Sequence, residues 1–136
     1  MTPQLIPVKR AELGLCWADA WALLEPAVMR GGLYTEESVV QALNAGEFQL
    51  WVAMGRGNVI MALVTEIADY PMRRICTAVF AGGQDLDQCL PLLAEIEQWA
   101  RENGCHRFDV NGRRGWVKTL SGFREQDTSV TKDFLQ

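Results

Sequence analysis

The chain has 136 residues, 49% of them hydrophobic and 22% charged, which is the composition of an ordinary globular domain with one core. The 13 lysines and arginines against 17 aspartates and glutamates give a net charge of −4, which argues against a nucleic-acid-binding protein of the ordinary basic kind. No apolar run approaches the ~20 residues of a membrane span, and residues 1–4 do not resemble a signal peptide, so we expect a cytoplasmic protein without a membrane partner.

Four cysteines and one histidine limit the chemistry that side chains could perform. Cys16, Cys76, Cys89 and Cys105 lie singly in apolar or periodic segments, without the paired cysteines or histidine runs of metal sites. We therefore interpret them as reduced core cysteines and expect no metal. A catalytic triad would have to use His106, which begins a predicted strand and which we interpret as structural.

Positive charge is concentrated in residues 104–124, where five basic residues face one acidic residue, Asp109. This segment fits a patch that binds an anion or a partner, and it fits equally well a solvated surface that balances the acidic remainder. Both interpretations stay open.

The first third of the chain predicts one strand and two helices. Residues 5–8 form a short strand at a sheet edge, because Pro7 lacks the amide that a central strand needs. Residues 11–29 have the apolar spacing of a helix, which we expect Pro26 to break and Gly31-Gly32 to stop. Thr35 is the expected N-cap of a second helix that ends at residues 44–46.

The remaining chain predicts a three-stranded meander, a long helix and three shorter elements. Residues 48–54 and 59–67 form a hairpin around a Gly/Asn turn, and residues 74–80 follow as an antiparallel third strand. Because Pro91 belongs in a first turn, the long helix should begin near Asp87, with Asp85 or Asp87 as its cap, and end at residues 103–104. Residues 105–110 then form a strand parallel to 74–80, followed by a helix over 114–120 and a last strand within 123–133.

This order of elements, β-α-α-β-β-β-α-β-α-β, resembles the GNAT superfamily of acyl-CoA N-acyltransferases over nearly the whole chain. The run from Leu120 to Glu125 is similar to the corner before the last strand of these enzymes, where a Gly-Phe pair precedes polar residues. The run Gly112-Arg113-Arg114-Gly115-Trp116 also resembles small GNAT-like proteins of phages and prophages. The resemblance implies a single GNAT-like α/β domain over residues 1–136, with a mixed, mostly antiparallel sheet flanked by helices.

The resemblance also implies a glycine-bearing turn after the fourth strand, whose amides hold the pyrophosphate of acyl-CoA. The glycine motif of active members is absent here, so Gly82, Gly83 and Gln84 are the candidates for a degenerate phosphate turn. Asp85 and Asp87 oppose phosphate binding, because they would occupy the helix amides themselves and repel a diphosphate by about 1 kcal/mol per charge near a surface.

The proton transfers of an acyltransferase need a base for the amine and an acid for the thiolate. Glu66 is the candidate base by resemblance, although an exposed acid at a strand end beside Asp69 is the interpretation we favour. Lys118 stands where the family commonly carries a tyrosine that acts as the general acid. The two tyrosines of this chain, Tyr34 and Tyr70, belong to other loops.

We therefore favour a non-catalytic GNAT-like protein with a binding or structural role, for example in a phage or prophage virion. For this role we expect no cofactor, and a protein partner or self-association, including a homodimer; the protein would lie in the host cytoplasm or the virion. Trp116 among Arg113, Arg114 and Lys118 suits an interface anchor, with a core tryptophan as the other interpretation.

The alternative is an active acetyl-CoA-dependent N-acyltransferase with an atypical cofactor loop. In it Glu66 would be the base, and Arg113 and Arg114 would hold the nucleotide phosphates. A nucleic-acid-binding or regulatory role of the basic segment is a third and weaker hypothesis, because the net charge is negative.

Overall fold

The computed structural model describes residues 3–84, 86–111, 122–124 and 132–134, with only the backbone at residues 86 and 87. Within these ranges the chain forms β1 (Gln4–Val8), α1 (Leu13–Gly31), α2 (Glu36–Asn44), β2 (Phe48–Gly55), β3 (Asn58–Asp69), β4 (Arg74–Gly83), α3 (Leu86–Cys89), α4 (Leu93–Glu102) and β5 (Arg107–Val110). Short 3-10 turns precede α1 at Arg10–Glu12 and join α3 to α4 at Leu90–Leu92. None of the helices in the described ranges is long and apolar enough to cross a bilayer.

The five strands form one mixed sheet in the order β1-β2-β3-β4-β5. The first three pairings are antiparallel and the β4–β5 pairing is parallel, so the predicted edge strand, meander and parallel crossover are confirmed. The hairpin closes at Gly55 opposite Asn58. Its two loop residues, Arg56 and Gly57, both have positive φ, 54° and 80°, as a two-residue turn that follows the twist of the strands requires.

Helices cover both faces of the sheet and bury two separate apolar clusters. On one face, α1 packs on β3 and β4, and α2 packs on β2; we call this the α1/α2 face. Its buried side chains are Ala20, Leu24, Val28, Val39, Ala42, Leu43, Phe48, Leu50, Val52, Ala62, Val64 and Phe80. The opposite, α4 face buries Leu5, Trp51, Ala53, Met61, Leu63, Ala78, Cys89, Leu90, Leu93 and Ile96.

The first helix does not break at Pro26, contrary to the prediction. It runs through the proline to Gly31, and Gly32 closes it with φ 68°. Proline removes the bond to the carbonyl of Ala22, four residues earlier, but both residues are exposed and water can solvate that carbonyl. Burial of Leu24 and Val28 on either side of the proline offsets the cost.

The second helix begins where the sequence predicts. The Thr35 hydroxyl accepts a hydrogen bond from the Ser38 amide at 3.1 Å, and the Ser38 hydroxyl accepts one from the Thr35 amide at 2.9 Å. These reciprocal bonds satisfy two backbone amides at the helix start. Glu36 and Glu37 lie in the first turn, where the helix dipole favours acidic side chains.

The long helix predicted between the fourth and fifth strands is interrupted. It starts at Leu86, close to the predicted position, but tightens into a 3-10 turn around Pro91 and resumes as α4 at Leu93. Proline cannot donate to a carbonyl four residues back, which explains the tighter turn at this point. The capping roles of Asp85 and Asp87 lie outside the described side chains.

The predicted C-terminal elements fall largely outside the described residues. The helix over 114–120 lies wholly outside them. Of the last predicted strand, residues 123–124 and 132–133 are described, and they are not in a strand.

Two of the four cysteines are core residues as predicted. Cys76 and Cys89 are buried, whereas Cys16 and Cys105 are half-buried, and none of the four forms a disulfide. Burial raises the pKa of the Cys76 thiol to about 12, with smaller contributions from the negative charges of Cys105 and Asp109. The Cys76 thiol therefore stays protonated at neutral pH.

Thr65 is the one buried polar residue of the described chain, and it holds a short hydrogen-bond relay inside the α4 face. The Trp51 indole N–H donates to the Thr65 hydroxyl at 3.0 Å, and that hydroxyl donates to Gln49 Oε1 at 2.9 Å. Trp51 is also packed edge-to-face against Trp99 of α4, with ring centroids 5.1 Å apart. The relay thus fixes the tryptophan on which α4 rests.

We predict that Thr65→Val lowers the free energy of unfolding by about 1–3 kcal/mol, because it leaves the buried Trp51 indole N–H without an acceptor. The matched control is Thr77→Val on the next strand, a half-buried threonine, which should change stability by less than about 0.5 kcal/mol. Urea unfolding followed by tryptophan fluorescence measures both. Equal effects of the two substitutions would contradict a specific role of the relay.

Candidate functional site

Within the described ranges, the sheet opens between β4 and β5. Their parallel pairing runs from Ile75 opposite Arg107 to Ala78 opposite Val110, and one further bond joins the Asn111 amide to the Ala78 carbonyl at 3.0 Å. Strand β4 continues to Gly83, and in the described ranges no strand pairs with this extension on the β5 side. The opening therefore presents a strand edge, which can hydrogen-bond an extended ligand.

A bulge in β4 marks the point where the sheet opens. Val64 of β3 pairs with Phe80 and the next residue, Thr65, pairs with Ala78, so Val79 is the extra residue. A bulge increases the local twist and re-aims the strand that carries it. Both changes fall directly after the last β4–β5 pair.

The candidate phosphate-turn glycines lie in strand β4, where they pair with β3, and not in a turn after it. This corrects the predicted strand end at residue 80. A Cβ atom at Gly82 would overlap the carbonyl oxygen of Leu23 in α1, and one at Gly83 would lie 2.6 Å from the Ile60 carbonyl oxygen. Close packing of the backbone therefore explains why these two positions are glycine.

The Gln84 amide is also engaged by the sheet, since it donates to the Ile60 carbonyl at 3.2 Å. Antiparallel alternation turns the neighbouring Gly83 amide away from β3, so amides that could face a phosphate are that of Gly83 and those of the turn after residue 84. The other residues predicted to act on the phosphates, Arg113 and Arg114, lie outside the described residues. Their role stays a prediction.

Glu66, the candidate base, lies in a row of side chains that crosses four strands. Phe48 of β2, Glu66 of β3, Thr77 of β4 and Asp109 of β5 are successive cross-strand partners. Side-chain alternation puts all four on the α1/α2 face. Glu66 is two residues from Val64, which packs on that face, and Asp109 is next to Phe108, which packs on the opposite face. The row is one pair from the opening of the sheet.

Glu66 and Asp109 lie on strands two positions apart in the sheet. Their backbones are therefore about 10 Å apart, which is twice the spacing between neighbouring strands. Glu66 and Thr77 are half-buried, so they are accessible from the α1/α2 face. Asp109 forms a two-bond ion pair with Arg107, at 2.8 and 3.0 Å. The sequence did not predict Thr77 or Asp109 as site residues. Strand alternation predicts which face each side chain occupies, but only the strand register shows that both lie in line with Glu66.

An aromatic cluster connects this row to the opening. The Tyr34 ring lies 5.7 Å from that of Phe48 and 5.5 Å from that of Phe80, measured between centroids. Phe48 is the cross-strand partner of Glu66, and Phe80 belongs to the open part of β4. Tyr70 is exposed in the β3–β4 loop, so Tyr34 is the tyrosine that the fold brings toward the candidate site.

His106 lies at the other end of the β4–β5 pairing, next to Arg74. Its Nδ1 accepts a hydrogen bond from the Arg74 amide at 3.0 Å, while its own amide donates to the Arg74 carbonyl at 2.7 Å. The Arg74 guanidinium also pairs with both oxygens of Asp69 at 2.9 Å and donates to the Asn103 carbonyl at 3.0 Å. This position fits the interpretation of His106 as a structural residue. In the described part of the chain no cluster of side chains suits a metal ion.

The chain shares its fold with solved acetyltransferases. An aminoglycoside acetyltransferase from an uncultured soil metagenomic sample matches 99% of this chain and 100% of its own, with 12% identity and a TM-score of 0.75. A predicted acetyltransferase with acetyl-CoA from Clostridium acetobutylicum matches 96% of either chain, with 11% identity and a TM-score of 0.68. A GNAT family acetyltransferase from Staphylococcus aureus matches 98% of this chain and 100% of its own, with 12% identity and a TM-score of 0.65.

At such low identity these likenesses establish the fold alone, and the predicted fold class is confirmed. No protein-family model and no curated protein matches the sequence. Nothing in these similarities supports a phage or prophage origin, which stays a prediction.

Proposed function

We propose, from the GNAT acetyltransferase fold of this chain, that it is an acyl-CoA-dependent N-acyltransferase. The observation that carries the proposal is the opening of the sheet after Ala78 and Val110, with a β4 bulge at the opening and Glu66 one pair away. The fold of named acetyltransferases favours this function over the non-catalytic role that the missing glycine motif suggests.

The open edge of β4 fits the pantetheine arm of acyl-CoA better than its phosphates. Pantetheine carries two amide groups, which suit the backbone groups of residues 79–83 in the manner of an added strand. The amides of Gly82 and Gln84 face β3, so of the three predicted phosphate amides only that of Gly83 faces the open edge. The thioester supplies the activated acyl group when the cofactor is bound.

The residues of the α1/α2 face would act on the acceptor. Glu66 would take a proton from the attacking amine, either directly or through one water. Tyr34 packs on Phe80 in the open part of β4 and makes no hydrogen bond in the described structure, yet no buried polar atom there lacks a partner. Its hydroxyl therefore reaches solvent, and it is our candidate for the acid that protonates the thiolate.

The test is a calorimetric titration with acetyl-CoA. We expect saturable binding with Kd between about 1 μM and 1 mM, the range of typical substrate KM values. Pantetheine and adenosine 3′,5′-bisphosphate, titrated separately, would show whether the strand edge or the phosphates dominate. Weakened acetyl-CoA binding by an Arg114→Ala variant would support the predicted contact between Arg114 and the nucleotide phosphates.

Thiol release from acetyl-CoA in the presence of primary amines then tests the reaction. Aminoglycosides belong in the panel, because a neighbour in fold is named for acetylating them. Saturable acetyl-CoA binding without thiol release in the presence of any of the amines would indicate a protein that binds the cofactor but does not transfer its acyl group. That result would contradict the catalytic proposal.

The second candidate is a GNAT-like binding or structural protein that has lost the reaction. The orientation of the Gly82 and Gln84 amides toward β3 favours it, because the usual phosphate contacts are then reduced. For this role we expect no saturable heat with millimolar acetyl-CoA.

A further inference from the structure

An open cavity of about 360 Å³ lies between the C-terminal half of α4, the start of β5 and residues 122–124. Its size is within the ~300–1,000 Å³ of small-molecule sites. The cavity is at the end of the sheet where β5 begins, whereas the opening proposed for acyl-CoA starts after the last β4–β5 pair. The cavity shares Asp109 with the Glu66 row but lies toward the opposite end of β5 from the opening, so a ligand bound in it would not require that the sheet opening binds acyl-CoA.

Two phenylalanines form the apolar wall of this cavity. Phe108 of β5 and Phe123 are both half-buried, and their rings meet edge-to-face with centroids 5.9 Å apart. Both pack against the apolar cluster of the α4 face, which holds them in place. Such a wall suits a ring or a short apolar body, since aromatic rings prefer edge-to-face and offset contacts.

Basic groups outnumber acidic groups among the described residues around the cavity. Arg101, Arg107 and Arg124 line it against Glu97 and Asp109, an excess of one positive charge when histidine is neutral. The clustered cations favour a negatively charged ligand, because a bound anion lowers the electrostatic repulsion between them.

The existing ion pairs leave Arg101 and Arg107 able to take up a ligand. Arg101 bonds Glu97 at 2.8 Å, but its side chain is 69% exposed, and ion pairs in water are weak and exchange readily. Arg107 uses Nε and Nη2 for Asp109, so its Nη1 takes no part in that pair. A guanidinium with a remaining N–H edge suits a carboxylate or phosphate oxygen.

His106 adds a neutral donor to the cavity lining. Because its Nδ1 accepts a hydrogen bond from the Arg74 amide, the neutral ring carries its proton on Nε2. The imidazole is thus fixed through one nitrogen and offers an N–H with the other.

We propose that this cavity binds a small organic anion, a carboxylate or phosphate joined to a ring or short apolar body, at a site separate from the opening of the sheet. The phenylalanine wall takes the apolar body, and Arg101, Arg107 and His106 take the anionic group. Either a carboxylate or a phosphate fits this arrangement of donors, and titrating one probe of each kind distinguishes the two.

The experiment titrates phenyl phosphate and phenylacetate into the full chain at low salt, followed by protein NMR shifts. At least one should bind with Kd near or below about 1 mM, whereas benzylamine, with the same ring and opposite charge, should not. Arg101→Gln should weaken binding about fivefold, the effect of one charge near a surface. Arg56→Gln in the hairpin loop is the matched control and should leave binding unchanged.

Phe123→Ala is the second variant, chosen because it removes the wall without touching a charge, and it should also weaken binding. Thermal unfolding of every variant checks that the fold is retained. Absence of saturable binding up to about 10 mM of both anions, or equal affinity for benzylamine, would overturn the proposal. So would binding that is unchanged in both Arg101→Gln and Phe123→Ala.

Discussion

Gly82→Ala should lower the free energy of unfolding by about 3 kcal/mol or more, which is at the upper end for overpacking a core. The added methyl group would overlap the carbonyl oxygen of Leu23 and lie 2.8 Å from its carbonyl carbon. Both atoms belong to the backbone of α1, so no side-chain rotation can relieve the contact. The helix would have to move away from β4, losing contacts of the buried Leu24 and Val28.

The matched control for this prediction is Gly14→Ala, near the start of the same helix. A Cβ atom at Gly14 meets nothing within 4 Å, and alanine favours the helix by up to about 1 kcal/mol over glycine. Stability should therefore be unchanged or slightly raised. Chemical unfolding with circular dichroism detection measures both variants, and a Gly82→Ala protein as stable as the wild type would refute the packing explanation.

Glu66→Gln should lower kcat by about 10²–10⁴-fold, the usual contribution of a general base, on the amine that the wild type accepts. The substitution keeps the size of the side chain and one acceptor oxygen but removes the ability to take up a proton. Because Glu66 lies one pair from the sheet opening and not along the open β4 edge, the Kd for acetyl-CoA should not change. Steady-state thiol release and calorimetry measure the two quantities.

Asp69→Asn is the control for Glu66→Gln, since Asp69 is an exposed acid at the end of the same strand. Its removal breaks an exposed ion pair with Arg74, which contributes little, and kcat should stay within about twofold. If Glu66→Gln were as active as Asp69→Asn, Glu66 would be the strand-end acid that the sequence favours. Asp109→Asn would then test the other carboxylate of the row.

The sequence preference for a non-catalytic role rested on what is missing, the phosphate-turn glycines and the tyrosine near residue 118. The structure changes the weight of both observations. Gly82 and Gly83 are required by packing whatever the function, so they are not evidence for or against a phosphate turn. Tyr34 reaches the candidate site from the loop between α1 and α2, a position that spacing along the chain does not reveal.

Much of the fold followed from local sequence signals. The β2–β3 hairpin was predictable because two apolar runs flank a short turn that contains glycine and asparagine. The start of α2 followed from Thr35, whose hydroxyl caps the helix through contacts within four residues. The edge position of β1 followed from Pro7, which has no amide to give to a second neighbouring strand.

The sequence by itself therefore determined the order and type of the described elements, because helix caps, turns and apolar periodicity act over a few residues. Only the tertiary structure decided that α1 continues through Pro26, that β4 extends through Gly82 and Gly83, and that Glu66 lies in line with Thr77 and Asp109. These depend on which backbone approaches which, and on strand register across distant parts of the chain. Such long-range contacts leave no local pattern, since any residue small enough or suitably polar satisfies them.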